Sequence, residues 1–229
     1  MPRRARVSIP GAAHHIIQRG NNRSACFYSD EDYQRYLDWL FEYADLERCM
    51  VHAYVLMTNH VHLLITPTDK DGLAMLMKRL GQRYVQYINR AYCRSGTLWE
   101  GRFKSCITDD EHYVLGCYRY IELNPVRAKI VEHPAEYRWS SYRHNAQGQI
   151  DERLSAHCVY LGLSHTAEQR QYAYRELFRN ELDAGLVDEI RQSTNGNYAM
   201  GSERFKREVE QMLGLRVSRG RPGRPRLED

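Results

Sequence analysis

Residues 50–57 read MVHAYVLM and residues 60–65 read HVHLLI, with Thr58-Asn59 between them. Both runs favour extended backbone, and a two-residue link is a common hairpin spacing, so the pair predicts two adjacent antiparallel strands. Working outward, residues 13–18 (AHHIIQ), between Gly11 and Gly20, form a further β-prone run. Residues 30–48 carry Tyr33, Tyr36, Leu37, Leu40, Phe41 and Ala44 at helical spacing. On the other side, Leu76, Leu80, Tyr84, Tyr87 and Ile88 recur every three or four residues and predict a helix over 73–92. Residues 98–107 then supply a fourth strand. Strand, helix, strand, strand, helix, strand is the order of a split βαβ unit. The expected class is α+β: a ferredoxin-like (RRM-like) domain with an antiparallel sheet and its helices on one face.

Thr108 and Glu111 have capping-box spacing, so a third helix is expected from Asp109, and Pro125 places its end at or near Asn124. Residues 128–148 read as a mostly irregular wrap that ends the first domain. Residues 154–161, 166–182, 186–194 and 203–213 look helical and predict a small C-terminal all-α segment. The expected division is a catalytic domain over 1–148, a helical extension over 149–214 and a flexible basic tail over 215–229.

With 42% hydrophobic and 27% charged residues, the chain is ordinary for a globular protein, which excludes wholesale disorder and fibrous repeats. No long apolar stretch follows Arg3, Arg4 and Arg6, so neither a signal peptide nor a membrane span is predicted, and the expected location is the cytoplasm. Six cysteines without C-x-x-C spacing suggest neither a zinc site nor a disulfide framework.

The net charge of +4 is modest, but its distribution is segregated. Residues 1–29 and 213–226 each hold five arginines and no acid, and residues 78–104 hold seven Lys or Arg against Glu100 alone. Such blocks suit a phosphate-binding surface. The candidate nucleic-acid contacts are Arg3, Arg4, Arg6, Arg83, Arg90, Arg102, Lys104, Arg219, Arg221, Arg224 and Arg226, with Tyr84 and Tyr87 as base-stacking partners.

On a strand, alternate side chains face the same way, so His60 and His62 project together and can share one metal ion. At the end of the third helix, Asn124 offers an amide oxygen to a hard cation, and Tyr120 lies on the same helix face four residues earlier. Tyr113 also falls on that face, whereas Tyr118 points away. Each element also fits a plainer role: the histidines as polar decoration, Asn124 as a cap before Pro125, Tyr120 as a packing aromatic.

Together these residues carry a resemblance. His60-Val61-His62, the run Tyr120-Ile-Glu-Leu-Asn124-Pro125-Val126-Arg127-Ala128, Trp139-Ser140-Ser141-Tyr142 and the LWEGRFK segment at 98–104 resemble the single-tyrosine HUH (IS200-like) transposases, most closely the REP-associated tyrosine transposases. The resemblance covers roughly residues 1–145. It implies that His60 and His62 are the HUH pair, that Asn124 completes a site for Mg²⁺ or Mn²⁺, and that Tyr120 attacks DNA to form a 5′-phosphotyrosine. It also implies single-stranded or hairpin DNA as substrate, notably repeated extragenic palindromes, and a monomer or homodimer. Mobile insertion-sequence relatives more often carry glutamine where this chain has Asn124. The terminal residues 219–226 resemble an AT-hook, and a basic tail without base preference is the other reading. A noncatalytic, domesticated DNA-binding regulator is the alternative from a different class.

Overall fold

The computed structural model describes residues 7–108 and 111–218. Along the chain the elements are β1 (Ala13–Arg19), α1 (Asp30–Leu46), β2 (Cys49–Met57), β3 (His60–Pro67), α2 (Gly72–Ala91), β4 (Lys104–Thr108), α3 (Glu111–Glu122), α4 (Asn124–Arg127), α5 (Tyr142–Gln147), α6 (Cys158–Leu161), α7 (Ala167–Glu176), α8 (Ala184–Gly196), β5 (Ala199–Met200) and α9 (Glu203–Leu213). The sheet order is β2-β3-β1-β4-β5, antiparallel between the first four strands and parallel between β4 and β5.

Alternation along the strands fills a core on each face. Val61, Leu63 and Ile65 join Leu37, Leu40, Leu76, Leu80 and Tyr84 in the core beneath α1 and α2. Leu64, Ala53, Val55 and Cys106 join Val114, Cys117, Tyr118 and Ile121 of α3 and Ile190 of α8 on the other face. The register between β2 and β3 shifts at His52, so Val51 stays in the first core although Tyr54 and Leu56 share it at the opposite parity. Asp32 fastens α1 to α2. Its carboxylate accepts from the Ser29 amide at 3.0 Å, capping α1, and from the Tyr87 and Tyr92 hydroxyls, each at 2.9 Å.

The expectation of helices on one face is corrected: α3 and α8 cover the second face, because the side chains alternating with the first core are equally apolar there. The extension is not all-α either, since β5 adds to the sheet through Ile107↔Ala199 and Thr108↔Met200. The fourth strand is shorter than expected and starts at Lys104. Trp99 instead bridges Gly20, and Leu98 and Trp99 plug the first core. Helical backbone also continues past Pro125. Proline has no N–H to give Ile121, so α3 ends at Glu122, and the chain resumes as α4 with the Arg127 amide donating to Leu123 at 2.9 Å. Residues 128–148 are mostly irregular, as expected, with α5 at their end. The helix start expected at Asp109 lies outside the described residues.

Residues 137–155 seal the outer edge of β2. The Leu56 amide donates to the Trp139 carbonyl at 2.9 Å, the Ser141 amide to Tyr54 at 3.0 Å, and the Ser155 amide to Val51 at 2.9 Å. Glu122, fully buried on α3, binds this segment and α7 together by accepting from Ser141 Oγ (2.6 Å), Asn145 Nδ2 (2.8 Å) and the Tyr174 hydroxyl (2.7 Å). Gly116 gives α3 room against α8, since a Cβ there would stand 2.9 Å from Leu186 Cδ2.

Burial pushes the Glu122 pKa up to about 7, against the lowering effect of its three donors. An acid whose pKa rises on folding favours the folded state below its unfolded value and loses that contribution as pH climbs towards the folded value. Glu122→Gln removes the titration. Its stability relative to wild type, from denaturant melts, is expected to improve by on the order of 2 kcal/mol between about pH 5 and about pH 8. A flat difference across that window would place the charge elsewhere.

Candidate functional site

On the sheet face under α3 and α4, β1 and β3 bring Ile17 opposite His62 and Arg19 opposite His60. The two histidine rings lie 5.1 Å apart, nearly perpendicular. From above, α3 supplies Tyr120, whose ring centroid is 5.5 Å from that of His62, and α4 supplies Asn124 and Arg127. These side chains, with Arg191 and Asn195 of α8, line a cleft of about 340 Å³. The four residues singled out by sequence, His60, His62, Tyr120 and Asn124, therefore meet in one place within one chain.

Each is held by a specific contact. His60 Nδ1 lies 2.6 Å from Asn59 Oδ1. Asn124 donates Nδ2 to the Tyr120 carbonyl at 2.8 Å, and its side chain also hydrogen bonds to His60. His62 Nδ1 meets His15 Nε2 at 2.8 Å. The Arg127 guanidinium sits 4.6 Å from the Tyr120 ring centroid, a cation–π contact that fixes the ring. Arg127 Nη1 is buried and finds no acceptor among the described residues.

The two histidines are largely buried and have positive charges beside them. Burial, reinforced by Arg19, brings the His60 pKa down to about 4. His62 is lowered well below its ordinary value by burial, then by His15, His60, Arg19 and Arg127. Both rings are thus neutral near pH 7, the form in which imidazole ligates metals. Two imidazoles and an amide oxygen are chemically suited to a divalent cation. The described residues contain no cluster of three or more His, Cys, Asp or Glu that could hold one.

The basic candidates divide. Arg102 and Lys104 line a second, contiguous cleft of about 490 Å³, which shares Ile17, Arg19 and Asn195 with the first. Arg83 and Arg90 lie on α2, across the sheet from both clefts. Arg83 is taken up by Glu42 at 2.7 and 2.8 Å and by the Tyr43 hydroxyl, over the ring of Trp39. Tyr84 cannot stack on bases, being fully buried with its hydroxyl on the Cys26 carbonyl, and the Tyr87 hydroxyl is committed to Asp32. Among the competing tyrosines, Tyr118 is buried against Tyr160 and Tyr174, and Tyr113 donates to Glu189 at 3.0 Å. Arg3, Arg4, Arg6, Arg219, Arg221, Arg224 and Arg226 lie outside the described residues.

Sequence reasoning assigned no role to Arg19, Arg127, His15 or the α8 residues Arg191 and Asn195. His15, Ile17 and Arg19 share a strand face, a signal that was available; nothing in the sequence marked α8 as a wall of the cleft.

Residues 8–124, just over half the chain, match the family described as "Transposase IS200 like". Among solved structures, the chain is similar to a REP-associated tyrosine transposase bound to a REP hairpin, with a TM-score of 0.56 and 18% identity over 69% of this chain and 93% of that one. A Deinococcus radiodurans structure described as a candidate transposase aligns with a TM-score of 0.38 and 23% identity, covering 53% of this chain and 96% of that one. No curated protein matches the chain. No described helix is long and apolar enough to cross a membrane.

Because Arg19 contributes to the low His60 pKa, Arg19→Ala should raise it from about 4 while leaving it below 6.5, burial being the larger cause. Histidine NMR titration of metal-free protein measures this directly, and an unchanged value would show that the guanidinium field does not reach the ring.

Proposed function

The chain belongs to the IS200-like transposase family, and from that premise we propose that it is a single-stranded DNA endonuclease and strand transferase acting on hairpin-flanked DNA. The observation that carries this reading is the meeting of Tyr120 with His60, His62 and Asn124 of the same chain in one cleft. We read the four antiparallel strands with α1 and α2 as a ferredoxin-like catalytic unit within residues 1–148, and residues 149–214 as its helical extension. The REP hairpin bound to the structurally similar transposase supports repeated palindromes as the substrate class.

In this reading His60, His62 and Asn124 would hold Mg²⁺ or Mn²⁺. The donor set fits: neutral imidazoles from one strand and an amide from α4 converge on the same cleft. When bound, the cation neutralises charge on the scissile phosphate and stabilises its transition state. Tyr120 Oη attacks phosphorus, the bond to the 3′ oxygen breaks, and the tyrosine proton leaves to solvent while the departing oxygen takes one up. The products are a 5′-phosphotyrosine and a free 3′-OH. Attack by a second 3′-OH reverses these steps and joins strands without ATP, because the phosphodiester bond is conserved on the tyrosine. Arg127 holds the Tyr120 ring, and its unsatisfied Nη1 suits a phosphate oxygen through a charge-assisted hydrogen bond. Arg102 and Lys104 in the adjoining cleft extend the phosphate-binding surface along the strand.

The test is incubation with a single-stranded oligonucleotide carrying a hairpin, with and without Mg²⁺ or Mn²⁺, resolved on a denaturing gel. Wild type should give a metal-dependent covalent protein–DNA band. Tyr120→Phe should lose it while still retarding the hairpin on a native gel, and Asn124→Ala should require roughly tenfold or more metal for half-maximal adduct. Retardation by wild type without any adduct, over a range of hairpins, would favour the noncatalytic regulator.

A further inference from the structure

His15 is fully buried at the back of the cleft and touches both a proposed metal ligand and the C-terminal extension. Its Nε2 is 2.8 Å from His62 Nδ1, with the two rings within 8° of coplanar, so the contact is in line with both nitrogens. Its Nδ1 is 2.9 Å from Thr194 Oγ1 on α8. Thr194 Oγ1 in turn donates to the Ile190 carbonyl, one helical turn back, at 2.7 Å.

These contacts have a direction. A hydroxyl has one proton, and a carbonyl can only accept. Thr194 gives its proton to Ile190, so towards His15 it is an acceptor, and His15 Nδ1 must carry the hydrogen. A neutral imidazole has one N–H, which leaves His15 Nε2 a lone pair. His62 Nδ1 must then be the donor, and His62 Nε2 becomes the nitrogen with the free electron pair. The Cys106 thiol, 3.2 Å from Thr194 Oγ1, agrees with this sense: burial pushes its pKa up to about 12, so it keeps its hydrogen and donates to the other lone pair of the hydroxyl. Both rings are buried, and the described residues offer them no carboxylate hydrogen-bond partner that would favour a charged ring. Run the other way, with Thr194 donating to His15, the chain would place a hydrogen on His62 Nε2 and block it as a ligand.

We propose that the Ile190 carbonyl, Thr194 and His15 form a directional hydrogen-bond relay that locks His62 in its Nδ1–H tautomer, aiming the Nε2 lone pair at the metal. The inference rests on the reading of His62 as a metal ligand. It makes His15 a positioning residue, and it gives the segment after residue 149 a part in the site, since α8 sets the proton order that β3 needs.

The test begins with wild-type, metal-free protein carrying ¹⁵N-histidine: long-range ¹H–¹⁵N correlation should show His62 with its hydrogen on Nδ1. Hydrogen on Nε2, or an even mixture, would overturn the relay, and this measurement needs no substitution. Mn²⁺ affinity, by calorimetry or by the loss of the free-ion EPR signal, is then compared among variants. His15→Phe and Thr194→Val should weaken Mn²⁺ binding by about 10- to 100-fold, as for other outer partners of ligating histidines. His15→Gln, which can accept from His62 and donate to Thr194, and Thr194→Ser should bind near wild type. Equal affinity in His15→Phe would overturn the relay while leaving the nuclease reading intact. A wild type that binds no Mn²⁺ and forms no adduct would sink the nuclease reading, with the tautomer still judging the relay.

Discussion

The pairing of β1 with β3 is the constraint on which the rest depends. With Ile17 opposite His62 and Arg19 opposite His60, one sheet face collects the polar residues of the cleft and the other receives Ile16, Val61, Leu63 and Ile65 for the core under α1 and α2. Because side chains alternate strictly, a slip of one residue would drive both histidines into that core and expose its aliphatic residues to the cleft. The hydrophobic demand of the first core thus fixes the register, and the register aims the histidines.

A second layer of order comes from the helices above. The turn between α3 and α4 arises because Pro125 has no amide hydrogen, and it sets Tyr120 on one short helix and Asn124 and Arg127 on the next. The amide of Asn124 spans the junction by donating back to the Tyr120 carbonyl. Behind Tyr120, Glu122 anchors the same helix through Ser141, Asn145 and Tyr174. An ionisable group in so dry a place is costly, and its three donors offset only part of that cost.

Much of this was legible from residues alone. The β-prone runs and the helical spacing of apolar residues marked the first six elements in order, because both signals are local to the segment that carries them. The pairing of His60 with His62 and the offset of Tyr120 from Asn124 were readable for the same local reason. What was not legible depended on distant partners. That Tyr84 is core rather than a stacking platform follows from its contact with Cys26; that α8 and β5 complete the sheet and the cleft follows from packing against β4 and α3. A basic residue on a helix face likewise cannot announce whether an acid awaits it, and Arg83 is met by Glu42.

The segment from Trp139 to Ser155 does more than close the chain around β2. An edge strand with unpaired amides and carbonyls is a template for strands of other molecules. Here Tyr54 and Leu56 exchange hydrogen bonds with residues 139 and 141 of their own chain, and Val51 accepts from Ser155. The far edge ends in the two-residue strand β5, too short to offer much of a ladder. Among the described residues, the sheet therefore leaves little at either margin on which a foreign strand could add.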